Sequence, residues 1–171
     1  MRLAFVSLAG TPRQPPHPTC APALNTNSPV PSLSLKMNDN VSSTQAVQTW
    51  RIPIIASNPW NDTGIDLSAG GVYDFVATGE WKDASIPSDA DGYVSTPIVK
   101  LFERFRRIPD ARYFKLIGTI GKSTGESMVI GVKLTKFAPA KSDRLYCFAN
   151  DVRWMYWNNR GAIELTVTRR K

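Results

Sequence analysis

Hydrophobic residues along this chain come in short runs broken by Gly, Pro, Asn and Asp. From Trp50 onward there are seven: Trp50 to Ala56, Ile65 to Leu67, Val72 to Ala77, Phe114 to Ile120, Met128 to Leu134, Leu145 to Ala149, and Ile163 to Thr168. Runs this short, bounded by residues that favour turns, read as strands. Alternation is clearest at Ala162 to Arg169, where Ile163, Leu165 and Val167 fall on one face, as the two-residue period of a strand requires. One face is then buried and the other wet. Seven such strands predict an all-β fold, an antiparallel β-sandwich of the jelly-roll kind.

One segment breaks the pattern. Between Pro97 and Ile108, the residues Ile98, Leu101, Phe102 and Phe105 are spaced as one side of a helix, with Pro97 at a first helical position and Pro109 as the stop. The spacing predicts one short amphipathic helix over 97–108, packed on the sandwich with its arginines in solvent. Residues 1–46 are rich in Pro, Ser, Thr and Asn and carry neither period, so they are expected to form a disordered leader ahead of a domain at 47–171. Met1 to Gly10 has the outline of a secretory signal, but its apolar run is short and Pro12 and Arg13 follow at once. Met37 is an equally good start. Secreted and cytoplasmic placements both stay open.

Composition supports the β reading and narrows the chemistry. At 171 residues there is room for one domain, and 13 Pro with 11 Gly suit a fold of many turns. The net charge of +7 collects in Arg104, Arg106, Arg107 and Arg112 and in Arg169, Arg170 and Lys171. No aromatic-interleaved RNA motif accompanies either cluster, so nucleic acid is not predicted as a partner. No stretch reaches the roughly 18 to 20 apolar residues of a membrane span.

Cys20 lies in the leader and Cys147 in a strand, so a disulfide between them is not expected. The single histidine, His17, is also in the leader, which leaves the folded part without an imidazole for general-base catalysis or zinc. No pair of carboxylates is spaced for glycoside hydrolysis either. The chain is therefore not expected to be an enzyme.

Two motif fragments fail on spacing. Gly121-Lys122-Ser123 is the tail of a phosphate-binding loop, but Leu116 stands where its first glycine belongs. Asp89-Ala90-Asp91-Gly92 resembles part of an EF-hand loop, yet Pro87 and Ile98 occupy its first and twelfth positions.

The stretch from Phe148 to Gly161 is different. It joins two predicted strands and holds Asp151, Asn158 and Asn159 close together. Calcium takes about six to eight hard oxygens from carboxylates, amides and main-chain carbonyls, and an irregular loop supplies all three. The same residues also make ordinary turns, since Asn and Asp bond their own backbone.

The order Asn150-Asp151-Val152, a short aromatic-bearing loop, then Tyr156, Asn158, Asn159 and Gly161 before a last alternating strand resembles the calcium and sugar loop of the LecA-type galactophilic lectins. Upstream pieces fall in the order of that family: Trp60 to Leu67, Gly79-Glu80-Trp81, Asp91-Gly92-Tyr93, Leu116 to Gly121 and Phe137-Ala138-Pro139. The resemblance covers Trp50 to Lys171 and implies a galactose-binding-like sandwich acting as a calcium-dependent carbohydrate-binding module. On the family's pattern Asp151 and Asn158 hold Ca2+ through side chains, Met155, Asn159 and Ala84 through main-chain carbonyls. Sugar contacts are implied for Asp151, Val152 and Asn158, and Asp91 and Trp154 are further candidates.

Arg153-Trp154 stands where the family often has a Pro-Gly pair, and Ser88 to Gly92 replaces the His-Pro and Gln that contact galactose. The implied ligand is thus a galactose-like or related sugar. Arg160 beside the amide pair favours an acidic glycan by its charge. Trp154 and Trp157 suit either stacking on a sugar face or a place in the core. The alternative function is a non-catalytic structural or interaction domain of the same fold, in which the ion is structural or absent. Assembly with copies of itself is compatible with the sequence.

Overall fold

In the computed structural model, residues 47–170 are described; the leader read at 1–46, with His17, Cys20 and the signal-like start, lies outside the described residues. Ten antiparallel strands among the described residues account for the apolar runs: β1 (Gln48–Ile55), β2 (Asn61–Leu67), β3 (Tyr73–Asp83), β4 (Ile86–Ser88), β5 (Asp91–Tyr93), β6 (Tyr113–Ile120), β7 (Ser127–Val129), β8 (Lys133–Phe137), β9 (Asp143–Ala149) and β10 (Asn159–Arg169). They form two sheets, β1-β10-β3-β4 with β8 also on β3, and β2-β9-β6-β5 with β7 also on β6. The fold is an all-β sandwich.

The core lies where the inward faces meet. Ile54, Phe75, Trp81, Ile163, Leu165 and Val167 from the first sheet pack against Ile65, Leu67, Leu116, Leu145 and Cys147 from the second, all of them buried. Each such side chain contributes about 1.5–3 kcal/mol by leaving water. Cys147 is a buried free thiol, and burial pushes its pKa well up, which disfavours the reactive thiolate.

A smaller cluster of Ala111, Ile117, Phe148 and Tyr156, flanked by Trp60 and Ile108, sits on the opposite side of β6 and β9. Those strands are apolar on both faces, which is why their runs read as continuous. Asn61 stitches the sheets together. Its Nδ2 donates to the carbonyls of Ile55 (3.1 Å) and Cys147 (3.1 Å), and its Oδ1 accepts from the Ile55 N–H (2.9 Å).

Three sequence expectations change. The helix over 97–108 is a single turn, Pro97–Lys100, followed by a separate 3-10 turn at Glu103–Phe105. After Lys100 the backbone goes over to three-residue spacing, with the Phe102 N–H on the Val99 carbonyl and the Phe105 N–H on the Phe102 carbonyl, and Leu101 is left 73% exposed. Nor are the arginines all solvated, because Arg107 is buried. Finally, the run Met128 to Leu134 is two strands. Gly131, at φ +60, turns the chain where a Cβ would lie 2.3 Å from Asp91 Oδ1, a position that favours glycine. The short polar strands β4 and β5 carry no apolar run and have no sequence signal of their own.

No helix of the described residues is long and apolar enough to cross a membrane.

Candidate functional site

Three pieces of chain meet at one end of the sandwich: the hairpin between β3 and β4, the segment 97–105, and the loop from Asn150 to Asn158 that carries the chain from the second sheet to the first. Between them lies a cleft of about 220 Å3. Asp83, Ala84, Asp151, Val152 and Met155 line it, and Ile86, Val99, Phe102 and Tyr113 add apolar and aromatic surface. The register of β10 on β3 sets Asn159 opposite Asp83, so the strand pairing itself brings the loop's amides to the hairpin's carboxylate.

Asp151 is 2% exposed. Its Oδ2 accepts from Asn159 Nδ2 (2.9 Å) and its Oδ1 from the Val152 N–H (2.6 Å). Burial outweighs those two bonds, and the charge of Asp83 adds to it, so the carboxyl is pushed up to about 6. Asp83 accepts from Asn158 Nδ2 at Oδ1 (3.1 Å) and from the Tyr93 hydroxyl at Oδ2 (2.5 Å). Tyr93 is stacked on Tyr113. Burial raises both phenols, Tyr113 to about 12, and the nearby charges of Asp83 and Asp151 raise them further.

Both amides use their nitrogens and leave their oxygens. Oδ1 of Asn158 and Oδ1 of Asn159 are buried without a hydrogen-bond partner. An unpaired buried acceptor costs about 1–3 kcal/mol, and here two of them accompany two carboxylates. No three His, Cys, Asp or Glu gather as a metal cluster among the described residues, so any cation held here would rest chiefly on amide and carbonyl oxygens. Such a set suits a hard ion and not zinc.

The residues singled out in the sequence separate into two groups. Asp151, Val152, Met155 and Ala84 line the cleft, and Asn158 and Asn159 bond the carboxylates that do. Ala84 takes the left-handed region at φ +51, a strained conformation for alanine, in the turn that follows Asp83. Asn159 offers two oxygens, the expected carbonyl and its side-chain Oδ1. Its carbonyl accepts from Arg160 Nη1 (2.9 Å), and the side-chain Oδ1 is the oxygen without a partner.

Arg160 also donates to the Trp157 carbonyl (3.0 Å), so its charge is turned to the loop's own backbone. Asp91 is not brought to the cleft lining. It pairs with Lys115 (3.0 Å) and accepts from the Val132 N–H (3.2 Å), holding β5 and the β7–β8 turn. Trp154 and Trp157 are 60% and 74% exposed, which removes the core reading for both; Trp154 rests edge-on against Phe105 (5.4 Å). The residue the sequence reading missed is Asp83, next to Ala84 and joined to Asn158 only through the fold.

No protein-family model matches the chain, and no curated protein matches it. Among solved structures it is similar to the N-terminal domain of EclA, described as a PllA-like lectin, with a TM-score of 0.54 and 18% identity over 70% of this chain and 95% of that one. At that identity the likeness establishes the fold.

Proposed function

We propose that the domain is a calcium-dependent carbohydrate-binding module whose site is the cleft at Asp151. The observation that carries this reading is the pair of buried, unpartnered Oδ1 atoms on Asn158 and Asn159 beside two carboxylates. A turn built for its own sake satisfies its polar atoms, as Asn61 does. The structural neighbour is itself described as a lectin, which agrees with a carbohydrate as partner.

Asp151 and the side chains of Asn158 and Asn159 would hold the ion, with the carbonyls of Met155 and Ala84. Bound there, calcium would offer unfilled coordination positions to a pair of sugar hydroxyls. Asp83 keeps Asn158 in place and adds negative charge. Val152 lines the cleft beside them, and the wall of Ile86, Val99 and Phe102 suits the apolar face of a pyranose. The rival reading, in which the ion only fixes the loop, shares every residue and differs in having no sugar response.

Thermal unfolding of the full chain separates the two. Calcium at about 100 times its dissociation constant is expected to add about 2.7 kcal/mol over chelator, and galactose or a related sugar a further rise. A rise with calcium alone supports the structural ion, and no response to either overturns both.

A further inference from the structure

The second cleft that bears chemistry shares no lining residue with the first. It is small, about 120 Å3, and is lined by Pro59, Trp60, Arg107 and Arg153. Arg107 is 6% exposed. Its guanidinium lies over the rings of Phe148 (3.4 Å) and Trp60 (4.2 Å), and its Nη1 donates to the Tyr156 hydroxyl (3.0 Å) and the Pro59 carbonyl (2.5 Å). Nη2 is buried with no acceptor.

Arg153 is exposed, lies near enough for the two charges to repel, and makes no ion pair among the described residues; neither does Arg107. Aromatic faces explain how one buried guanidinium is tolerated. They do not explain a second arginine at the same cleft, which adds repulsion, or donor hydrogens left without an acceptor. Both features would be met by one negatively charged oxygen group, which guanidinium forks bind well.

We propose that this cleft binds an oxyanion, the carboxylate, sulfate or phosphate group of an anionic ligand, between Arg153 at the surface and Arg107 beneath, with Trp60 as its wall. The inference does not depend on calcium or on the Asp151 site. The group has two sources, a free inorganic anion or an acidic substituent carried on a glycan.

The test is a titration of the full chain in chelator with sodium sulfate against sodium chloride at matched ionic strength, followed by the Trp60 indole N–H in NMR spectra. A saturable shift with sulfate alone is expected. Arg153→Ala, a surface change, should weaken sulfate roughly tenfold, and Arg107→Lys, which keeps the charge and loses the fork, should weaken it similarly. Shifts that rise linearly and equally with both salts, or a sulfate affinity unaltered by Arg153→Ala, would overturn the proposal. A sulfated galactose that binds tighter than inorganic sulfate assigns the group to a glycan; equal affinity assigns it to the free anion, and both outcomes uphold the site.

Discussion

Asn150 and Asn159 stand at the two ends of one loop, both buried, and they use the same side chain differently. Asn150 engages its amide at both ends. Nδ2 donates to the carbonyls of Ile108 (2.9 Å), Ala111 (3.0 Å) and Arg112 (3.0 Å), and Oδ1 accepts from the Ile108 N–H (3.0 Å). Asn159 gives its nitrogen to Asp151 and leaves Oδ1 without a donor, and Asn158 repeats the arrangement against Asp83. Satisfaction of the amide thus separates a residue that builds the loop from residues that face outward in chemistry, toward something the chain does not supply. Burial alone does not make that distinction.

The sharpest way to break the contrast is Asn150→Ala. It strands the backbone of Ile108, Ala111 and Arg112 together and should cost about 3 kcal/mol or more, equally with and without calcium, in urea unfolding. A loss that calcium restores would show that Asn150 belongs with the other two. Asn158→Ala comes next in size. In chelator it should change stability by less than about 1 kcal/mol, since only the bond to Asp83 goes, while the calcium-linked gain of about 2.7 kcal/mol disappears.

A pH dependence follows from Asp151, whose carboxyl stands at about 6 in the folded protein against an ordinary 3.8. The folded state then holds its proton more tightly than the unfolded chain. Without calcium, the contribution of Asp151 to stability is full below about 3.8 and is lost as pH rises through about 6. Calcium needs the ionised form, so its affinity should weaken as pH falls below that value. Unfolding midpoints between pH 4 and 7 in chelator test the sign, and a midpoint that climbs across this window would contradict it. The smallest change is Trp154→Ala. With its ring mostly in water, stability should stay within about 0.5 kcal/mol, while a sugar that stacks there would lose about 0.5–1.5 kcal/mol of affinity by calorimetry.

The sandwich was legible wherever a strand buries one face. Ile163, Leu165 and Val167 alternate because the core lies on one side of β10 and solvent on the other. β4 and β5 were not, because three-residue strands such as Ile86–Ser88 are held by the neighbour they pair with and need no apolar run of their own. Arg107 misleads for a related reason. Among three other arginines it reads as a solvated cation, and the rings that cover it, Trp60 and Phe148, are distant in sequence.

At the cleft, Asp151 and the amide pair were visible as hard-oxygen residues on one loop. Asp83 was hidden because its partners arrive from elsewhere in the chain, Tyr93 from β5 and Asn158 from the loop before β10. The oxygen that Asn159 leaves unpaired could not be read at all, since it depends on the fold bringing Asp151 to the amide nitrogen and no donor to Oδ1.

β10 lies between β1 and β3, pairing Gln48 with Arg169 on one side and Tyr73 with the same residue on the other. On a ribosome the chain emerges amino end first, so β1 must wait unpaired and β3, though paired with β4 and β8 on its other edge, must keep its inner edge open until the last described strand is out. The first sheet then closes in one late step, and the same stretch of chain delivers Asn159 to Asp83 and Asp151. Translation thus finishes the first sheet and the candidate site together, and a ribosome stalled before Asn159 would hold a chain with neither.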